Sequence, residues 1–132
     1  MGANTIDMKT EQQLAGLMTQ GGGPAVIDFW AGWCGPCRAM APIFEAVAEQ
    51  YADTEVGFYK LDTETDRHIA QRFNVRSIPT IMLIDDGEIL DVIVGRIDGK
   101  RLGKKVEWLI SRSRGESALS RLVGRFRGSP MK

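Results

Sequence analysis

Apolar positions along the chain change spacing several times, and each change predicts an element. Between Asp7 and Gln20, Leu14, Leu17 and Met18 recur at helical spacing behind Thr10, a residue suited to capping, so a first helix is expected in this span. The run Gly21-Gly22-Gly23-Pro24 ends it. The next stretch, Ala25-Val26-Ile27-Asp28-Phe29-Trp30-Ala31, is apolar except for Asp28 and of strand length, the pattern of a strand covered on both faces. Gly32 closes it. From Cys34 to about Tyr51 the period turns helical, with Met40, Ile43, Phe44, Val47, Ala48 and Tyr51 on one face. Pro42 lies inside this helix, cannot donate to the Arg38 carbonyl, and is expected to kink it.

Val56 to Asp62 reads as a second strand, and Asp66 to Phe73 as a short helix with Ile69, Ala70 and Phe73 inward. Thr80 to Ile84 and Glu88 to Val94 flank Asp85-Asp86-Gly87, a hairpin signal. Gly99 to about Arg112 is a last helix, with Leu102, Val106, Leu109 and Ile110 on one side. From Ala25 the order βαβαββα fits a three-layer α/β domain.

Length and composition agree with this picture. The 132 residues suffice for one domain with a real core, and 43% hydrophobic and 26% charged residues are ordinary for a soluble globular protein. Seventeen basic residues balance seventeen acidic ones, so no global field draws the chain to nucleic acid. The charge is uneven, however. Residues 108–132 carry six basic side chains against Glu116 alone, a net of +5, which leaves residues 1–107 at −5. We therefore divide the chain into a domain over 1–112 and a basic amphipathic extension over 113–132. No apolar run approaches the ~20 residues of a spanning helix. The N-terminal residues match neither a signal peptide nor the myristoylation pattern, so a soluble chain in a reducing cytoplasm is expected.

The only two cysteines sit three apart in Trp33-Cys34-Gly35-Pro36-Cys37, between the apolar strand and the amphipathic helix. A bridge between them closes a very short loop and gains little chain entropy, which favours chemistry over architecture. At a helix start, free N–H groups and the positive dipole end favour an anion, so a Cys34 thiolate is stabilised and its pKa lowered. Cys37 falls in the first turn on the same side, within reach of a mixed disulfide on Cys34. Pro36 suits a turn where a missing N–H costs nothing. A zinc site is the competing use of Cys-x-x-Cys, but it needs four ligands, and two cysteines plus His68 leave it short. An iron–sulfur cluster within one chain needs four cysteines. Asp28 is the other anomaly: burial in its apolar strand would raise its pKa, whereas a solvent-facing or hydrogen-bonded position would not.

The segment Val26–Cys37 closely resembles the active-site region of the thioredoxin family. Ala41-Pro42, Lys60-Leu61-Asp62, Arg76-Ser77-Ile78-Pro79-Thr80 and Val94-Gly95 resemble further family segments, in the same order. The resemblance implies a thioredoxin fold, a central mixed β-sheet with helices on both faces. It implies a protein-disulfide reductase whose redox centre is the Cys34–Cys37 pair, with no metal and no separate cofactor. Cys34 would be the nucleophile, Cys37 the resolving thiol, Asp28 its buried proton acceptor and Lys60 a residue tuning that acid. Trp33, Gly35, Pro36, Ile78, Pro79 and Gly95 would meet the substrate, with Pro79 cis, although base rates alone favour a trans bond. Trp30 and Pro42 would be structural. Gly-Pro between the cysteines resembles the reducing members, and the implied partners are protein disulfides and an NADPH-dependent thioredoxin reductase. Two positions depart from the common bacterial pattern, Gly32 for an acid and Arg38 for a lysine. Neither removes a catalytic group; both bear on the local field or the choice of partner.

Two other roles stay open at this stage, a binding module dedicated to one partner and a thiol oxidase or isomerase. The extension is a question of its own. Leu119, Leu122, Val123 and Phe126 share one helical face over Glu116 to Phe126, and Ser113-Arg114-Gly115-Glu116 resembles a capping box. Such a short helix needs cover from its own domain, a partner or an anionic membrane; the alternative is a disordered basic tail.

Overall fold

The computed structural model describes residues 4–125, with side chains described through Gly115. The chain runs β1 (Ile6–Asp7), α1 (Glu11–Leu17), β2 (Ala25–Trp30), α2 (Gly35–Gln50), β3 (Gly57–Asp62), α3 (Arg67–Ala70) with a 3-10 turn (Gln71–Phe73), β4 (Thr80–Asp85), β5 (Glu88–Val94) and α4 (Gly99–Arg125). The strands form one sheet in the order β1-β3-β2-β4-β5. β1 and β2 pair parallel with β3, while β2–β4 and β4–β5 are antiparallel, so the sheet is mixed, as expected.

Alternation along β2 divides the core. Val26, with Ile81 and Leu83 of β4, packs against Met40, Phe44 and Val47 of α2 and Leu102, Val106 and Leu109 of α4. Ala25, Ile27 and Phe29 face the other way, toward Leu14 and Leu17 of α1 and Ile69 and Phe73. Each fully buried Leu, Ile or Phe contributes roughly 1.5–3 kcal/mol, so both helical layers are held by apolar burial. The continuous apolar run at Ala25 thus corresponds to a strand sandwiched between two layers. At the far end of α2, the Tyr51 hydroxyl donates to Glu107 Oε2 at 2.7 Å and lies 3.3 Å from the Gly103 carbonyl oxygen, which ties α2 to α4. Tyr51→Phe is expected to cost about 1 kcal/mol in chemical denaturation and to leave disulfide-reducing turnover unchanged.

Local signals account for the edges of the elements. Thr10 caps α1 in a full capping box: Gln13 N–H donates to Thr10 Oγ1 at 3.1 Å, and Thr10 N–H to Gln13 Oε1 at 3.0 Å. The hairpin between β4 and β5 turns on Asp86 and Gly87, both at positive φ (55° and 78°), the conformation that Asp-Gly serves. α2 passes through Pro42 without ending.

The structure differs from the sequence expectation in two places. Ahead of α1, which starts after its Thr10 cap as expected, Ile6 and Asp7 extend the sheet beside Tyr59 and Lys60. Two residues carry no periodicity, and this edge strand exists through its pairing with β3. The last helix does not stop near Arg112, and no new helix begins at Ser113. α4 runs on to Arg125 because nothing in Ser113–Glu116 breaks it; Gly115 costs only about 1 kcal/mol against alanine. The side chains of the apolar face expected over 116–126, and any contact they make, lie outside the described residues.

Candidate redox-active site

Cys34 ends the loop after β2 and is the N-cap of α2. It is bonded to Cys37, with the two Cα atoms 5.2 Å apart. The Cys37 N–H donates to Cys34 Sγ at 3.2 Å, so the sulfur occupies the position a capping oxygen would take. Gly35 and Pro36 supply the first two helical positions, and both are exposed. Each cysteine is 3% exposed, so accessibility does not distinguish the two sulfurs, whereas their positions relative to the helix terminus do.

Several other expected residues converge here. Ile78–Pro79 is a cis peptide, and the Ile78 carbonyl oxygen lies 3.8 Å from Cys34 Sγ. Gly95, at φ 92°, donates its N–H to the Pro79 carbonyl at 2.9 Å, a conformation that side-chain-bearing residues rarely adopt. Trp33 is 68% exposed beside Cys34, while Trp30 and Ile78 pack against the cluster of Ala31, Cys34 and Cys37.

Asp28 lies on the sheet face covered by α2, between Val26 and Trp30 in the alternation of β2. It is 1% exposed, and neither carboxylate oxygen has a hydrogen-bond partner within the protein. The solvent-facing and hydrogen-bonded alternatives are thereby removed. Burial pushes its pKa up to about 6; Lys60 counteracts that rise and Glu45 adds to it. Lys60 is the cross-strand partner of Asp28 in the parallel β2–β3 ladder. Its ammonium sits 5.2 Å from the Trp30 ring centroid and 4.0 Å from Glu45 Oε2. Thr5 Oγ1 reaches the same Glu45 carboxylate at 3.2 and 3.3 Å. These groups border a cavity of about 540 Å³ that Pro42 also lines.

Glu45 was not among the residues expected from sequence. The signal was present: Cys37, Ala41 and Glu45 form an i, i+4, i+8 row on α2, which places this acid two turns below the second cysteine on the same side. His68 stands exposed on α3, and no three His, Cys, Asp or Glu side chains gather into a metal site among the described residues.

A vicinal pair of cysteines at a helix N-terminus, beside a cis proline and above a mixed sheet, defines a dithiol–disulfide oxidoreductase. Comparison with known proteins agrees. The Thioredoxin family model matches residues 6–108. Thioredoxin 1 of Synechococcus elongatus is 39% identical over 84 residues, covering 64% of this chain and 78% of that protein. Thioredoxin of Malassezia sympodialis is 42% identical over 78 residues, covering 59% and 74%. A solved mutant thioredoxin from Halobacterium salinarum NRC-1 superposes with a TM-score of 0.70 at 29% identity, covering 81% of this chain and 91% of that one. The chain belongs to the thioredoxin family and carries its dithiol–disulfide exchange pair.

Proposed function

We propose that this protein is a general protein-disulfide reductase in which Cys34 attacks and Cys37 resolves. The observation that carries this reading is the placement of Cys34 Sγ at the N-terminus of α2, accepting the Cys37 N–H. A thiolate there gains that hydrogen bond and the helix field, which lowers its pKa and raises the fraction available to attack. Cys37, in the first turn, has no such terminal position.

The reaction balances without a cofactor. The Cys34 thiolate attacks one sulfur of the substrate disulfide, forms a mixed disulfide and expels the other substrate sulfur as a thiolate. Cys37 then loses its proton to the Asp28 carboxylate and attacks Cys34 Sγ. The second substrate sulfur leaves, and the two electrons taken up by the substrate leave Cys34 and Cys37 joined. A carboxylic acid with a pKa of about 6 is mostly ionised at neutral pH, yet is a far better proton acceptor than an exposed aspartate. Burial sets most of that rise, Lys60 holds it back and Glu45 adds to it. Trp33, Gly35, Pro36 and Gly95 would meet the substrate, and the Ile78 backbone beside Pro79 would pair with an extended substrate segment.

Members of this family generally act on protein disulfides and are reduced by thioredoxin reductase, and we assign the same electron donor, drawing on NADPH, to this chain. We place the work in a reducing cytoplasm. The intact protein is expected to accelerate insulin reduction by dithiothreitol, read as precipitation, and to sustain NADPH consumption when coupled to a thioredoxin reductase and insulin. No acceleration in the first assay would overturn the reductase reading in favour of a binding module. Acceleration without NADPH consumption would restrict the protein to a dedicated donor.

A further inference from the structure

A groove of about 330 Å³ opens beside Cys34, with Trp33 and Ile78 on the side of the sulfurs and Arg67 and Arg76 among its other lining residues. Its remaining polar lining consists of Thr63, Gln71, Asn74 and Ser77, and no carboxylate borders it. Two more arginines stand next to residues of the site. Arg38 Nη1 donates to the Gly32 carbonyl at 2.8 Å, which holds that side chain against the residue preceding Trp33. Arg96 follows Gly95, whose N–H is bonded to Pro79. All four arginines are exposed.

This clustering runs against the charge of the domain. Residues 1–107 carry a net −5, yet the surface around the reactive sulfur carries arginines. Arg38, Arg76 and Arg96 form no ion pair among the described residues. Arg67 lies 3.8 Å from Glu64 in an exposed pair, a geometry that contributes little and exchanges readily. Nearby acids are engaged elsewhere: Asp66, next to Arg67, pairs with Lys9 at 3.3 Å, Asp62 Oδ1 accepts from the N–H groups of Glu64 and Thr65, and Asp98 Oδ1 from that of Arg101.

We propose that this arginine rim selects protein disulfides whose reacting cysteine is flanked by aspartate or glutamate. The inference rests on the reductase reading and names its substrate class. An extended segment advances about 3.3 Å per residue, so residues two or three from the reacting cysteine lie about 7–10 Å away. That is within the screening length of about 10 Å at 0.1 M salt, so their charge is felt by the rim. Arginine also offers forked donors that match a carboxylate. Complementary charge of this kind acts chiefly on encounter and on discrimination among partners.

The test uses the full chain and three synthetic peptides with one identical disulfide loop, flanked by glutamates, lysines or serines. At low salt the glutamate peptide is expected to show kcat/KM about tenfold above the lysine peptide, narrowing to about twofold or less near 0.5 M salt. Arg67→Glu with Arg76→Glu is expected to invert the preference. The milder pair Arg67→Gln with Arg76→Gln is expected to abolish it without inversion, and thermal melts check that both variants are folded. Equal rates for the glutamate and lysine peptides, or a preference indifferent to salt and to both variants, would overturn charge selection alone. Failure to reduce even the serine peptide would instead sink the reductase reading.

Discussion

Cys34→Ser is expected to abolish disulfide-reducing turnover, lowering the rate at least ~10³-fold in the insulin assay, because the group lost is the one that forms the covalent bond to substrate. The change is a sharp test because serine preserves most of the local structure. Its hydroxyl is a good N-cap acceptor and can receive the Cys37 N–H that Cys34 Sγ receives at 3.2 Å, so α2 keeps its start. Loss of activity in a protein with an intact melt therefore reports chemistry and not unfolding. Cys37→Ser supplies the complementary result. It leaves the attacking thiol and removes the resolving one, so a mixed disulfide between Cys34 and the substrate should accumulate and be visible by mass spectrometry. If Cys34→Ser kept its turnover while Cys37→Ser lost it, the two roles would have to be exchanged.

Much of this site was legible from local pattern because its physics is local. The helix that polarises Cys34 announces itself through the spacing of Met40, Phe44 and Val47, all of which are buried against the sheet. Asp28 stood out because a carboxylate in an otherwise apolar strand has to be reckoned with, and it is buried. The capping threonine and the Asp86-Gly87 turn were readable for the same reason, since each satisfies a backbone requirement within a few residues. What escaped depends on residues distant in sequence. β1 exists only because Tyr59 and Lys60 offer it a ladder. Glu45 becomes relevant once the β2–β3 register sets Lys60 beside Asp28 and α2 lies over both. The arginine rim is assembled from α2, α3, the loop before β4 and the segment after β5, so no single window of sequence contains it. Continuation of α4 past Arg112 was missed for a different reason: the Ser113–Glu116 spacing mimics a cap, but a cap acts only where the preceding backbone is not already helical.

Asp28→Asn is expected to make the oxidised protein more stable at pH 8 and a poorer catalyst at once. The native carboxyl titrates at about 6, against 3.8 for an ordinary aspartate. Between those values the native state holds more protons than the unfolded chain, so stability falls as pH rises through the window and the full cost is present above pH 6. At 1.36 kcal/mol per unit, the difference amounts to about 3 kcal/mol. Asparagine has a similar shape and does not ionise. The gain of the variant over the parent should therefore be about 3 kcal/mol larger at pH 8 than below pH 3.8, measured by denaturant unfolding of the disulfide forms. Parallel pH profiles for the two proteins would show that Asp28 is not ionised at that cost, and the proton-acceptor role would go with it. The catalytic arm has the opposite sign. Loss of a general base of this kind typically costs 10²–10⁴-fold in the step it serves, here the release of substrate by Cys37. The parent rate should fall as pH drops through 6, while the variant lacks that inflection. A partner within the protein would lower the energy of the Asp28 carboxylate but would also lower its affinity for the Cys37 proton, so the missing hydrogen bonds and the basicity are one property measured in two ways.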